Sequence, residues 1–140
     1  MRTVATLVAV ALLASCAPKE PETAAGPTLA DFAGTWQVSS MLTGTAAPVQ
    51  STMSGTADSS SWTMSLEGRP NIALQVSVVG DSLIGRTAEY ESVLRPGVMV
   101  SVRTASAMSG GALAGTVTAT YKTAAGEEVV NGTFTATKMM

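Results

Sequence analysis

The chain of 140 residues is 46% hydrophobic but only 4% aromatic and 13% charged, with a formal net charge of −2 and no histidine. Because it has no histidine, it lacks the commonest general base and the commonest metal ligand, so we expect no enzyme, no metal site and no cofactor. The acidic excess and the lack of a basic patch argue against nucleic acid as a partner.

A short apolar segment at the amino terminus predicts an export signal. Met1 and Arg2 precede an apolar run over residues 4–14. That run is shorter than the roughly 20 residues of a membrane-spanning helix but typical of the core of a signal peptide. We therefore assign residues 1–15 to a signal peptide.

The end of this segment, Leu13-Ala14-Ser15-Cys16, resembles the lipobox of bacterial lipoproteins. The resemblance implies that a diacylglyceryl group is attached to Cys16 and that the chain is cleaved just before it. Cys16 is the chain's single cysteine, so no internal disulfide competes for it. The next residue is Ala17, without the aspartate that often retains such proteins in the inner membrane. The resemblance therefore implies a lipid-anchored protein of the cell envelope, on the periplasmic face of the outer membrane if the cell has two membranes.

Residues 16–30 combine the cysteine with three prolines, charges and small residues. This composition is typical of a disordered tether. We predict that the tether holds residues 31–140 away from the lipid surface. That remainder, about 110 residues, is enough for one domain with a modest core.

Beyond residue 31 the sequence favours β structure. Thr, Ser, Val and Gly dominate, and apolar and polar residues alternate with a period of two, as in strands with one buried face. Trp62, Met64 and Leu66, for example, alternate with Thr63 and Ser65. The alternation predicts about eight strands, which we place at 34–42, 49–57, 61–67, 71–79, 82–91, 98–103, 113–121 and 130–137.

Short links join the predicted strands. In one of them Pro96 and Gly97 fit the two central positions of a type II turn. Short links make sequential neighbours antiparallel, and none is long enough for a crossover helix. We therefore predict an all-β, antiparallel up-and-down meander of about eight strands closed into a small barrel, because closure leaves no exposed edge. A two-sheet β-sandwich is the alternative, since it fits similar strand spacing.

The start of this domain, Gly34-Thr35-Trp36, resembles the Gly-x-Trp signature that opens the first barrel strand of lipocalins and related calycins. The resemblance implies that residues 31–140 form a lipocalin-like barrel in which the Trp36 indole closes one end. It also implies a basic side chain from the last strand stacked on that indole, for which Lys138 is the candidate. The Thr-Asp-Tyr motif and the terminal helix of lipocalins are missing from the sequence, and two tryptophans are too few for an avidin-like biotin site.

A barrel of this kind can hold one small apolar or amphiphilic ligand. The candidate ligand contacts are Trp62 in the third predicted strand and Arg86, Tyr90 and Arg103 in the middle strands. The arginines could anchor an anionic head group if they point inward. Methionines within or beside the strands could line an adaptable pocket, although they also fill irregular cores.

Two other functions stay open at the level of the sequence. The first is a protein-interaction or structural module of the envelope that uses an exposed edge or loop and binds no small ligand. The second is a hydrolase built on Glu89 and Glu91, which share a strand face. Flanking arginines make a solvated charge cluster the simpler account of these carboxylates.

Overall fold

The computed structural model describes residues 26–140, so the predicted signal peptide, Cys16 and most of the predicted tether lie outside the described residues. Within that range the chain forms a short α-helix, a 3-10 turn at Ser59–Ser61 and nine strands. The bounds of these elements are α1 Leu29–Phe32, β1 Gly34–Leu42, β2 Val49–Gly55, β3 Thr63–Ser65, β4 Ile72–Val79, β5 Ser82–Thr87, β6 Tyr90–Glu91, β7 Met99–Ser109, β8 Ala112–Thr123 and β9 Gly126–Lys138. No helix in this part of the chain is long and apolar enough to cross a membrane.

The strands form one antiparallel sheet whose order follows the chain. The last strand, β9, returns to the first, where Trp36 faces Lys138 and Leu42 faces Gly132. β5 pairs with β4 on one side and with β7 on the other, which joins the two halves of the sheet. The sheet is therefore closed. The predicted antiparallel up-and-down barrel is confirmed, and the β-sandwich alternative is wrong.

β5 and β6 together act as one barrel strand with a break between them. Both pair with β7, but the register changes by one residue, from Arg86 opposite Arg103 to Tyr90 opposite Val100. One residue is therefore extra on the β5–β6 side, as in a β-bulge. At the break the backbone N–H of Val102 on β7 donates to Oγ1 of Thr87 at 3.0 Å. The threonine hydroxyl thus takes the place of the backbone carbonyl that would accept this hydrogen bond in a regular strand pair. The barrel thus has eight strands, with β6 as a short addition.

The helix α1, which was not predicted from the sequence, precedes β1. Its first turn is held locally, because the backbone N–H of Thr28 donates to Oδ2 of Asp31 at 2.7 Å. Its last residue, Phe32, is completely buried. A helix of four residues is too short to be stable alone, so it depends on the packing of Phe32. It is also too short to show a helical period in the sequence.

Several strand boundaries differ from the predicted ones, most of all the end of β7, which lies at Ser109 instead of residue 103. β3 covers Thr63–Ser65 instead of 61–67, because a turn lies on each side of it. The 3-10 turn precedes it, and in the turn that follows it the Arg69 N–H donates to the Leu66 carbonyl. β9 begins at Gly126 instead of residue 130, because Thr123 and Gly126 already face each other across a tight hairpin. Residues 127–129 are exposed, so they carry no alternating pattern that would predict a strand.

Inward-pointing side chains form one core, whose largest fully buried members are Phe32, Trp36, Trp62 and Leu113. One position on β8 has no room for any side chain: a Cβ on Gly115 would overlap the carbonyl oxygen of Ala105 on β7. Glycine there lets the two backbones approach closely and the barrel wall curve tightly.

Candidate functional site

One end of the barrel, which we call the closed end, lies where β1 begins and β9 ends. Phe32 and Trp36 are 0% and 1% exposed, and the Nε1–H of Trp36 donates to the Phe32 carbonyl at 2.8 Å. Trp62 is also 1% exposed, and its Nε1–H donates to the carbonyl of Thr56 at 2.8 Å. Each indole thus buries its rings while its polar atom is satisfied. This end is a packed plug.

The structure places Lys138 beside Trp36, as the lipocalin resemblance implies. The two residues face each other in the β1–β9 register, and Nζ of Lys138 is 5.5 Å from the centroid of the indole. Gly34 makes room for this approach, because a Cβ there would lie 2.6 Å from Cε of Lys138. Its φ of 132° is also a conformation that other residues rarely adopt. In this chain the Gly-x-Trp pattern therefore has a steric reason.

The opposite end, which we call the open end, is bordered by the loops that follow β1, β3, β6 and β8. Between the β1–β2 loop and the β6–β7 loop lies a depression of about 340 Å³, the mouth cleft. The mouth cleft is lined by residues 43–47 together with Leu42, Leu94, Arg95, Tyr121 and Val130. Two other surface depressions have similar volumes, about 390 and 400 Å³, so the mouth cleft is distinguished by its position at the open end and not by its volume.

Two smaller cavities continue from the mouth cleft into the barrel. The outer cavity, about 60 Å³, shares Leu42, Leu94 and Tyr121 with the mouth cleft. The inner cavity is about 50 Å³. Each is smaller than an apolar cavity of roughly 150 Å³, a size that accepts benzene. In this conformation the interior therefore has room for the end of a ligand whose bulk occupies the mouth cleft.

The outer and inner cavities share part of their lining, including Val102 and Val117. Met64 lines both of them, as do Ser40 and Ser51. A methionine side chain is unbranched and changes rotamer readily, so Met64 can change the shape of both cavities without a change in the backbone. The serines supply polar groups in an otherwise apolar wall, which is the usual composition of a ligand pocket.

A cation stands at the rim of the mouth cleft. The guanidinium of Arg95 lies 4.1 Å from the centroid of the Tyr121 ring, and it donates two hydrogen bonds to the carboxylate of Glu128 at 2.7 and 3.0 Å. The hydrogen bond between them lowers the pKa of Glu128 and raises the pKa of Arg95. The rim thus offers a charged group above an aromatic face, next to an apolar path.

Tyr90 lines the outer cavity. Burial, together with the nearby Tyr121 and against the opposing effect of Arg69, raises the pKa of its hydroxyl to about 12. At neutral pH the hydroxyl therefore stays protonated and can donate a hydrogen bond. Among the four predicted ligand contacts, Tyr90 is the one that the structure places on this path.

The other three predicted ligand contacts lie elsewhere. Trp62 belongs to the plug at the closed end. Arg86 and Arg103 are exposed on the outer wall of the barrel, opposite each other on β5 and β7. Val102 and Thr104, the sequence neighbours of Arg103, line the inner cavity instead. An inward anchor for an anionic head group is therefore not formed by these two arginines.

Three residues of this site were not predicted from the sequence: Leu94, Arg95 and Tyr121. The first two belong to the loop between β6 and β7, and Tyr121 lies near the end of β8. Only Tyr121 carried a signal in the sequence, because it continues the alternation of Val117 and Ala119 on a predicted strand. Leu94 and Arg95 lie in a loop, where apolar and polar residues do not alternate, so no pattern predicts their position.

No protein-family profile matches the chain, and no curated protein or solved structure is significantly similar to it. Its function must therefore be argued from the site itself. Within residues 26–140, no group of three or more Cys, Asp or Glu side chains is arranged to hold a metal ion.

Proposed function

We propose that the protein is a lipid-anchored lipoprotein of the cell envelope whose barrel binds a small apolar or amphiphilic molecule through its open end. The observation that carries the ligand-binding part is the asymmetry of the barrel. One end is packed with aromatic side chains, whereas the other opens into a cleft of about 340 Å³ that continues inward as apolar cavities.

The chemistry of the path favours an amphiphile over a polar metabolite. Leu42, Leu94 and the ring of Tyr121 border both the mouth cleft and the outer cavity, so an apolar group gains most by lying there. Arg95 stands at the rim, and Tyr90 lines the outer cavity. A ligand with one polar end and a narrow apolar part can satisfy both environments.

The lipid anchor is supported by the sequence Leu13-Ala14-Ser15-Cys16, which has the residues that the lipobox requires in the required order. The course of the chain is compatible with such an anchor. Gly26 lies next to the turn at Gly80, at the closed end of the barrel. A tether that starts there leaves the open end on the far side of the barrel, free to exchange a ligand with its surroundings.

The ligand-binding proposal is tested with the neutral fluorescent probe N-phenyl-1-naphthylamine added to the full chain in an uncharged detergent, with detergent alone as the blank. Ala119→Leu fills the outer cavity, because Ala119 is 1% exposed and lines it. Ala114→Leu makes the same change at an exposed position on the same strand. We expect the first change to weaken probe binding by about tenfold, as a filled pocket excludes the ligand, and the second to leave it unchanged.

Equal binding by both variants, with both barrels folded by circular dichroism, would contradict the ligand-binding proposal. Native mass spectrometry of the chain purified from its own envelope then identifies the ligand. A reproducible added mass that Ala119→Leu removes gives the chemical class of the natural ligand. A bare protein mass together with unchanged probe binding would favour a protein-interaction module.

The anchor is tested separately with Cys16→Ala. We expect this change to abolish metabolic labelling with a fatty acid and to release the protein from the membrane fraction, because two or three acyl chains give durable anchoring and the variant has none. Ser39→Ala, far from the lipobox, is the control and should remain labelled. Continued labelling of Cys16→Ala would remove the lipoprotein proposal while leaving the ligand site untouched.

A further inference from the structure

The cationic side chains of the described residues divide into two groups. Four of the six have partners: Arg69 donates to backbone carbonyls of Glu91 and Ser92, Arg95 and Lys122 form salt bridges, and Lys138 stands over an indole. The remaining two are Arg86 and Arg103. Neither forms a salt bridge within residues 26–140.

Arg86 and Arg103 are also direct neighbours. They face each other in the register of β5 and β7, so their side chains leave the outer wall on the same side. Cβ atoms of directly opposed residues are about 5 Å apart, and an arginine side chain is long enough for both guanidinium groups to meet one small ligand. Both residues are exposed.

The residues beside this pair in its row of the outer wall carry no charge. The next residues along the same row of the outer wall are Gln75, which faces Arg86 on β4, and Thr118, which faces Arg103 on β8. Both are uncharged. Like charges placed directly opposite each other destabilise a sheet, and an anion bound between the two guanidinium groups would relieve this repulsion.

We propose that Arg86 and Arg103 form a binding site for a phosphate group on the outer wall of the barrel. Two planar guanidinium groups offer several fixed N–H donors and two positive charges. A phosphate has enough oxygens to accept bidentate hydrogen bonds from both, whereas a single carboxylate is matched by one arginine. This site is distinct from the mouth cleft, and it serves either free phosphate or the phosphate of a lipid headgroup.

The experiment titrates inorganic phosphate into the full chain in an uncharged detergent, at constant ionic strength set with sodium chloride, and follows the arginine Nε–H signals by NMR. The double change Arg86→Gln and Arg103→Gln should weaken phosphate binding by about tenfold or more, because it removes the charged hydrogen bonds. Lys122→Gln removes one exposed cation elsewhere on the wall and should leave the dissociation constant unchanged.

Thermal unfolding gives a second readout. Phosphate should raise the melting temperature of the natural chain above its value in chloride of equal ionic strength, and this difference should vanish in the double variant. Without phosphate, Arg103→Gln alone should raise the melting temperature, because it removes the repulsion from Arg86. Equal phosphate binding by the natural chain and the double variant would overturn the proposal.

The source of the phosphate is decided by competition. Dihexanoylphosphatidylglycerol, used below its micelle concentration, carries a headgroup phosphate without a membrane. If it displaces inorganic phosphate from the natural chain, the site accepts a phospholipid headgroup. If inorganic phosphate binds through both arginines and the phospholipid does not compete, the site is one for free phosphate. No response of the Arg86 and Arg103 signals to either probe would refute the site altogether.

Discussion

Removal of the indole at the closed end should cost the barrel a large part of its stability. Trp36 is 1% exposed, and its Nε1–H donates to the carbonyl of Phe32 at 2.8 Å. Replacing such a residue by alanine costs about 3–5 kcal/mol, since the cavity that remains collapses only partly. The unpaired carbonyl accounts for about 1 kcal/mol of that loss. A domain of this size has about 5–15 kcal/mol in total.

The assay for Trp36→Ala is urea unfolding of the full chain in an uncharged detergent, followed by far-ultraviolet circular dichroism. Two companion variants divide the effect. Trp36→Phe keeps a ring in the plug and should lose less free energy of unfolding than Trp36→Ala. Lys138→Gln removes only the cation above the indole and should lose about 0.5–1 kcal/mol. A loss below about 1 kcal/mol for Trp36→Ala would be too small for any buried indole and would refute the plug.

Two further predictions test the barrel wall and the mouth. Gly115→Ala should lower the free energy of unfolding by about 1–3 kcal/mol, because the new methyl group would overlap the Ala105 carbonyl. Thr116→Ala, on the exposed face, is the control and should change stability little. Equal urea midpoints for the two variants would contradict the close approach of β7 and β8. In an absorbance titration at 295 nm Tyr90 should ionise near pH 12, above the ordinary value of 10.0. Because the folded-state pKa of Tyr90 is raised, the stability linked to its protonation is complete below pH 10.0 and is lost as the pH rises through about 12. Urea midpoints measured at several pH values test this loss. Ionisation of Tyr90 near pH 10.0 would show that it is not buried.

The strand pattern of the barrel was predictable because it is local. Each strand with one buried face repeats every two residues, so Trp62 to Leu66 and the valines of β7 were readable without the fold. Short links then required antiparallel neighbours. Where residues are exposed on both faces, as at 127–129, the period disappears and the start of β9 was placed too late. The helix α1 was missed because four residues are shorter than a useful helical window.

The pairing of Trp36 with Lys138 was also within reach of the sequence. The Gly-x-Trp resemblance fixes the first residue, and closure of a meander brings the last strand beside the first. The position of Trp62 was not predictable in the same way. Its alternation with Met64 and Leu66 showed that it is buried, but burial in the plug and burial beside a ligand give the same pattern.

The sequence by itself determined the fold class, the direction of the strands and the residues that face inward, since alternation and loop length are properties of neighbouring residues. Only the tertiary structure decided which end of the barrel is open, because the mouth cleft joins Leu42, Leu94 and Tyr121 from three distant segments. It also decided that Arg86 and Arg103 meet on the outer wall. Both features depend on the register in which the strands close, and that register is set by packing across the whole barrel, which no local pattern records.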